Sequence, residues 1–188
     1  AVFGADPELT VLSLRLQNRF RAERLLISTQ SLLRSSGLSD EASAAAAVQA
    51  FEEILRISPD HSAAAAGLTE ISKHYGQLAA EAAQEGEVAE AIRLLQRATA
   101  ARSDLREHDR VRFLISQATS IQSAVTDLLV RAESQIANGR LMAQGDDSAA
   151  QLLLQVLATD PDNERATQGL QQITATVMAQ TQQMLNQG

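Results

Sequence analysis

The sequence has no cysteine, no tryptophan and only three prolines, and 3% of its 188 residues are aromatic. Without cysteine the chain can form no disulfide, thiolate metal site or cysteine nucleophile, and both the cytosol and the periplasm remain open as compartments. No run of apolar residues approaches the roughly 18 that cross a bilayer. Because the 45% hydrophobic content is dominated by alanine and leucine, the composition predicts an all-α protein with closely packed helices.

Positive charge is also scarce, since the net charge is −7 and Lys73 is the single lysine. A nucleic-acid surface depends on clustered lysine and arginine, so we expect no nucleic-acid partner. One basic stretch, with Phe20 as its only aromatic residue, could meet nucleic acid or anionic lipid, but we favour a solvated helix face. This stretch contains Arg15, Arg19, Arg21 and Arg24.

One stretch of sequence occurs twice in the chain. Residues 54–71, ILRISPDHSAAAAGLTEI, recur as VLATDPDNERATQGLQQI at residues 156–173, which lie 102 residues later and align without a gap. Internal repetition of a helical unit is typical of a solenoid, in which each unit buries its apolar face against its neighbours. The identical positions include Pro59 and Pro161, Asp60 and Asp162, Ala64 and Ala166, Gly67 and Gly169, and Leu68 and Leu170.

Capping and turn residues divide the chain into about seven helices. Asp6 and Pro7 are typical of the start of a first helix, and Asp104 with Glu107 forms a capping box for the fifth. No glycine or proline follows until Gly139, so the fifth helix is expected to be long. The predicted helices cover residues 7–35, 39–58, 60–84, 88–101, 104–138, 149–158 and 163 to the end.

The apolar residues of the predicted fifth helix fall in two adjacent stripes. One runs from Val111 to Ala132 in steps of three and four, which is typical of a coiled-coil seam. The other, formed by Ile115, Leu129 and Ile136, widens the apolar face to that of a helix inside a stack. We favour core packing over a dimeric coiled coil.

The segment from Tyr75 to Ala98, YGQLAAEAAQEGEVAEAIRLLQRA, resembles the tetratricopeptide repeat. Tyr75, Gly86, Ala91 and Ala98 match that family in register, and Ser103 replaces the proline that ends the unit. The first and third hairpins depart from the pattern, because their turn glycine and second-helix alanine are ten residues apart where the family has five. These pairs are Gly37 with Ala47 and Gly139 with Ala149.

The resemblance covers most of residues 22–188 and implies antiparallel helical hairpins stacked as a right-handed solenoid. We expect one domain over residues 1–188, with units at 7–59, 60–103 and 104–161 and a truncated fourth unit at 162–188. In the family, a peptide or partner helix lies in a concave groove lined by the first helix of each hairpin. The groove residues it implies are Lys73, Gly76, Ala80, Ala83 and Gln84 in the second hairpin, and Thr126, Leu129, Glu133, Ile136 and Ala137 in the third. Leu129 and Ile136 could belong to the core instead.

An enzyme requires acids, bases or nucleophiles that converge on a pocket, and the three histidines do not suggest one. We interpret His61 as a helix-start residue, His74 as a solvated partner of Glu70 four residues back, and His108 as part of a charged first turn. The GDD sequence at 145–147 lacks the spacing of a calcium loop and is interpreted as the cap of the sixth helix. We expect no catalytic, cofactor or metal site.

The main hypothesis is therefore a non-enzymatic scaffold that binds a protein partner. A structural oligomerisation segment is the first alternative, and a small-ligand receptor or an enzyme is the second. The chain starts at Ala1 rather than Met, and Gly188 lies 102 residues after the turn glycine Gly86. We therefore expect a piece of a longer bacterial protein, in which a membrane anchor could lie outside these residues.

Both terminal helices carry apolar residues that no predicted hairpin partner covers. In the first helix, Val11 and Leu14 fall nearly opposite the main apolar face. In the seventh, Met178, Met184 and Leu185 replace small residues of the third helix. We predict that these five residues contact a second copy of the chain, while the pair on the first helix could instead pack against an upstream part of the parent protein and the seventh helix could cap the stack by itself.

Overall fold

The computed structural model of the protein describes residues 7–142 and 147–187, and that part of the chain contains seven α-helices and no strand. The prediction of an all-α protein is confirmed. The helices are α1 (Pro7–Ser36), α2 (Glu41–Ile57), α3 (Ser62–Gln84), α4 (Val88–Ala101), α5 (Glu107–Ala137), α6 (Ala149–Thr159) and α7 (Glu164–Gln187).

The chain divides between Ile115 and Ser116 into two compact units. In the first unit α1 contacts α2, α2 contacts α3, and α3 contacts α4. Phe51, Ile54 and Ile71 are the largest apolar side chains of its core that are almost completely buried. In the second unit α6 contacts α7, and the core is centred on Leu152, Leu153 and Val156.

Three glycines form the turns after α1, α3 and α5. Gly37, Gly86 and Gly139 have φ angles of 74°, 82° and 72°, a left-handed conformation that side chains with a Cβ rarely adopt. The connections after α1 and α3 are four and three residues long, and connections of this length place consecutive helices antiparallel. The ion pair between Arg21 of α1 and Glu53 of α2 fits this arrangement, because both residues lie the same number of positions from Gly37.

The two copies of the sequence repeat pack their helices in the same way. A Cβ added to Gly67 of α3 would lie 2.5 Å from the Phe51 ring, and one added to Gly169 of α7 would lie 2.8 Å from Leu153. Phe51 and Leu153 are themselves 102 residues apart. In each unit, therefore, one large side chain of the preceding helix packs directly on the backbone at a glycine.

The caps confirm some boundary predictions and correct others. His61 lies at the start of α3 as predicted, and its Nδ1 accepts from the Ala64 amide at 3.4 Å, so the helix begins at Ser62 rather than at Asp60. α5 begins at Glu107 rather than at Asp104, because the Asp104 carboxylate accepts from Arg102 instead of capping the helix. The cap of α6 is Ser148, whose Oγ accepts from the Gln151 amide at 3.3 Å.

Part of the predicted GDD cap, Gly145 and Asp146, lies outside the described residues, as do Asp6 and Gly188. Asp147, the remaining residue of the GDD sequence, forms an ion pair with Arg131 of α5. Its carboxylate is therefore occupied away from the helix start that it was predicted to cap.

Candidate binding groove

In the first unit, α3 and the start of α5 form an open groove of about 520 Å³. The α3 wall consists of side chains spaced three or four residues apart, which therefore lie on one face of the helix. Gly76 and Ala80 are small, so little side chain fills the space beside them. A Cβ at Gly76 would lie 4.0 Å from Cδ2 of His108, across the groove floor. Further lining residues are Lys73, Gln84, Leu105, Glu107, Val111 and Leu114.

Four of the five positions predicted for the second hairpin line this groove, namely Lys73, Gly76, Ala80 and Gln84. Ala83 does not, because it precedes the turn into α4, where the two helices come together, and it is buried in the core.

The positions predicted for the third hairpin lie on the part of α5 that belongs to the second unit. Thr126 and Glu133 are exposed, and Glu133 pairs with Arg165 of α7. Leu129 is buried and Ile136 is half-buried in the core of the second unit, which is the alternative that the sequence left open for them. Ala137 is exposed.

The charged residues at the groove balance in sign. Lys73 and Arg110 are positive, and Glu81 and Glu107 are negative. The Lys73 ammonium lies 4.0 Å from Oε1 of Glu107, and both side chains are more than half exposed. An exposed pair of this kind contributes little to stability, so both charges remain available to a ligand. The floor between them is formed by Gly76, Ala80 and apolar residues of α5.

A buried serine and a buried histidine meet at the groove floor. Ser72 Oγ donates to the Ala98 carbonyl at 2.7 Å, and His108 Nε2 lies 3.1 Å from the same Oγ. The hydroxyl also lies 3.3 Å from the Arg102 carbonyl, and with its one hydrogen on either carbonyl Nε2 acts as the donor to Oγ. The pair links α3, α4 and the first turn of α5.

His108 lies in the first turn of α5 beside charged residues, as predicted, but its own side chain is only 1% exposed, which was not foreseen. A signal was present in the sequence: His108, Val111 and Ile115 follow the spacing of one helix face, and all three are buried. His74 also differs from its interpretation. It is half-buried and packs edge-on against Tyr75, with ring centroids 5.5 Å apart, instead of pairing with Glu70 in solvent.

An ion-pair network on another side of the first unit joins α2 to α4. Glu41, at the start of α2, accepts hydrogen bonds from Arg97 and from Arg93, the latter at 2.7 Å. These hydrogen bonds, with Arg97 the larger contribution, lower the pKa of Glu41 from 4.5 to about 2. Arg97 also lies over the Tyr75 ring, 5.7 Å from its centroid. The network therefore links the start of α2 to one face of α4.

The predicted dimer contacts are exposed. About half of the surface is exposed at Val11 and Leu14 of α1. Most of the surface is exposed at Met178, Met184 and Leu185 of α7. The other face of the α1 start is exposed as well, and it is formed by Leu9, Leu12, Leu16 and Phe20. Both helices therefore carry apolar surface that their own unit does not bury.

Within residues 7–142 and 147–187, no three histidine, aspartate or glutamate side chains group as a metal site would need. None of the helices described is both long enough and apolar enough to cross a bilayer. Comparison with protein-family models, with curated proteins and with solved structures returns no match.

Proposed function

We propose that the protein is a non-enzymatic interaction scaffold, built from tetratricopeptide-like hairpins stacked as a right-handed solenoid, which binds a peptide or a helix of a partner protein. The groove between α3 and α5 is the binding site. The observation that carries the proposal is that Lys73, Gly76, Ala80 and Gln84 line one groove. They are the positions at which the family resemblance places partner contacts.

The chemistry of the groove fits a peptide. Its floor is apolar and formed in part by small residues, so a backbone or a short side chain can approach α3 closely. The exposed charges of both signs at its edges can pair with the termini or side chains of a bound segment. We exclude an enzyme from the proposal because the serine beside the groove is buried and its hydroxyl is already hydrogen-bonded to Ala98.

A peptide-display library selected against the immobilised protein tests the groove. Ala80→Trp should fill it and abolish binding of the selected peptides. Ala66→Trp is the matched control, because Ala66 is an exposed alanine on the same helix and does not line the groove. Both variants should keep the helical circular dichroism of the parent. Peptides that bind Ala80→Trp as well as the parent would show that the site lies elsewhere.

A second candidate function, a structural oligomerisation segment, is favoured by the exposed apolar residues of α1. Changing Val11 and Leu14 together to glutamate should convert a dimer to a monomer, as measured by light scattering in dilute solution. A parent chain that is already monomeric at micromolar concentration would remove this candidate. Unfolding of the double variant would instead indicate that both residues are buried within one chain.

A further inference from the structure

Helix α3 contains two glycines, and the packing of the fold requires one of them. A Cβ built at Gly67 would lie 2.5 Å from the Phe51 ring, so a side chain there would overlap the core. Among the described residues outside α3, the one atom within 4 Å of a Cβ built at Gly76 is Cδ2 of His108, at 4.0 Å. This is an ordinary van der Waals distance, so the space beside Gly76 would accept a methyl group.

Gly76 therefore weakens α3 without a contact that requires it. The residue lies inside a helix that runs from Ser62 to Gln84, and its φ angle is not positive. Glycine inside a helix is less stable than alanine, because it loses more backbone freedom on folding. A residue that opposes the local structure in this way is expected mainly at a functional site. Gly76 lines the groove between α3 and α5, which is such a site.

The surroundings of Gly76 in the groove are apolar. Ala80 lies one turn further along α3, and Val111 and Leu114 lie on α5; all three line the same groove of about 520 Å³. The atom of His108 nearest to the Cβ position of Gly76 is a carbon. Apolar walls above small residues fit one large apolar side chain, and a few such anchors supply most of the affinity of protein interfaces.

Charged residues on both walls surround this apolar space. The Lys73 ammonium of α3 lies 4.0 Å from Oε1 of Glu107 of α5. Glu81 of α3 and Arg110 of α5 also line the groove and are exposed, and neither forms an ion pair with a described residue. A bound segment can therefore pair a basic residue with Glu81 and an acidic residue with Arg110.

The stretches of the chain outside the described residues do not have this chemistry. Residues 1–6, AVFGAD, include a phenylalanine and an aspartate but no basic residue. Residues 143–146, AQGD, include neither a basic residue nor a large apolar one. Neither stretch can therefore supply the complementary groups.

We infer that the groove is specific for a segment of a partner protein that inserts one large apolar side chain beside Gly76. A basic residue of that segment pairs with Glu81, and an acidic residue pairs with Arg110. The inference rests on the proposed function, because it names the ligand of the same groove. It also explains the glycine, since the missing Cβ leaves the space that the inserted side chain occupies.

The probe is the set of display-selected peptides whose binding Ala80→Trp abolishes. Gly76→Ala should raise the thermal midpoint by about 1–4 °C and weaken binding of these peptides about tenfold or more. Gly67→Ala is the matched control, because it makes the same change on the same helix at a residue that does not line the groove. It should lower the midpoint and leave the peptide affinity of the folded protein unchanged.

The peptides provide a second measurement. Their sequences should share one large apolar position, and alanine at that position should weaken binding to the parent about tenfold or more. The truncated peptides should bind the parent and Gly76→Ala equally. Selection on Glu81→Lys should replace the basic residue beside the anchor with an acidic one.

The possible failures are distinguishable. If Ala80→Trp abolishes the binding of no selected peptide, the proposed function itself is removed. If the peptides blocked by Ala80→Trp bind Gly76→Ala as tightly as the parent, or share a small residue instead of a large one, the inserted side chain is overturned and the groove remains the site. A lower midpoint for Gly76→Ala would show that the fold requires this glycine.

Two further outcomes would overturn parts of the inference. An unchanged charge preference on Glu81→Lys would overturn the flanking ion pairs. A parent dimer that Gly76→Ala dissociates would assign the groove to a second copy of the chain instead of a partner protein.

Discussion

The α2–α3–α4 region of the first unit and the α6–α7 pair of the second are built on one sequence pattern and differ in what covers them. In both, a large side chain packs on a helix glycine, Phe51 on Gly67 and Leu153 on Gly169. In the first region α4 covers the next face of α3, and Glu41 of α2 forms ion pairs with two arginines of α4. In the second, the corresponding face of α7 is exposed.

The comparison distinguishes two groups of residues in the sequence repeat, those between the paired helices and those on the outer face. The residues at the contact between the two paired helices are nearly the same in both copies of the sequence repeat, because each pair of helices must bury the same interface. The residues on the outer face vary with what lies against it, from alanines under α4 to methionine and leucine in solvent. Positions that are similar in the two copies are therefore those at which the paired helices contact each other. Positions that differ are those on the outer face.

The largest effect is expected from Gly67→Ala. The new Cβ would overlap the buried Phe51 ring, and overpacking of this kind should lower the free energy of unfolding by about 2–3 kcal/mol. Gly169→Ala should cost less than about 1 kcal/mol, because the tip of Leu153 can move and alanine favours the helix. Urea unfolding measures both.

Phe51→Leu makes the contact at Gly67 resemble the contact between Leu153 and Gly169. It therefore tests whether the Phe51 ring is the cause of the predicted loss. In that background Gly67→Ala should lose most of its cost, which appears as a coupling energy in a double-mutant cycle. Additive effects of the two changes would contradict the contact between the ring and the glycine.

The covered and exposed faces can be compared directly with one substitution at matching positions. Ala79→Leu, under α4, should destabilise the protein by about 1–3 kcal/mol because Ala79 is fully buried. Thr181→Leu, at the matching exposed position of α7, should change stability by less than about 0.5 kcal/mol. Equal losses at the two positions would mean that α7 is already covered in solution.

The Glu41 network predicts a pH dependence for the covered region. The pKa of the Glu41 carboxyl is lower in the folded protein than the 4.5 of an unperturbed glutamate. The contribution of Glu41 to stability is therefore present above about pH 4.5 and is lost as the pH falls toward 2. Glu41→Gln should lower the thermal midpoint at pH 7, and the difference from the parent should shrink through this window. A difference that is the same at pH 7 and pH 2.5 would show that the hydrogen-bonded charge is not its cause.

The smallest effect on stability is expected in the groove. Replacing Lys73 and Gln84 together with alanine should leave the thermal midpoint within about 1 °C, because exposed polar residues contribute little. The same change should weaken binding of peptides selected on the groove. A drop of several degrees with unaltered binding would show that this face is structural.

The helices and their turns were predictable because glycine, proline and capping residues act locally. The family resemblance supplied the α3 wall of the groove. Three details depended on tertiary packing and were missed. His108 looks polar among its charged neighbours but is buried against Ser72, Ala83 lies where α3 and α4 converge, and the Asp104 carboxylate pairs with Arg102 instead of capping α5.

The single lysine of the chain lies at the edge of the groove, with 54% of its side chain exposed. Amine-reactive reagents can therefore modify side chains at one position only, Lys73. An amine-reactive dye or photocrosslinker on this lysine would report directly on whatever enters the groove, without any engineered residue.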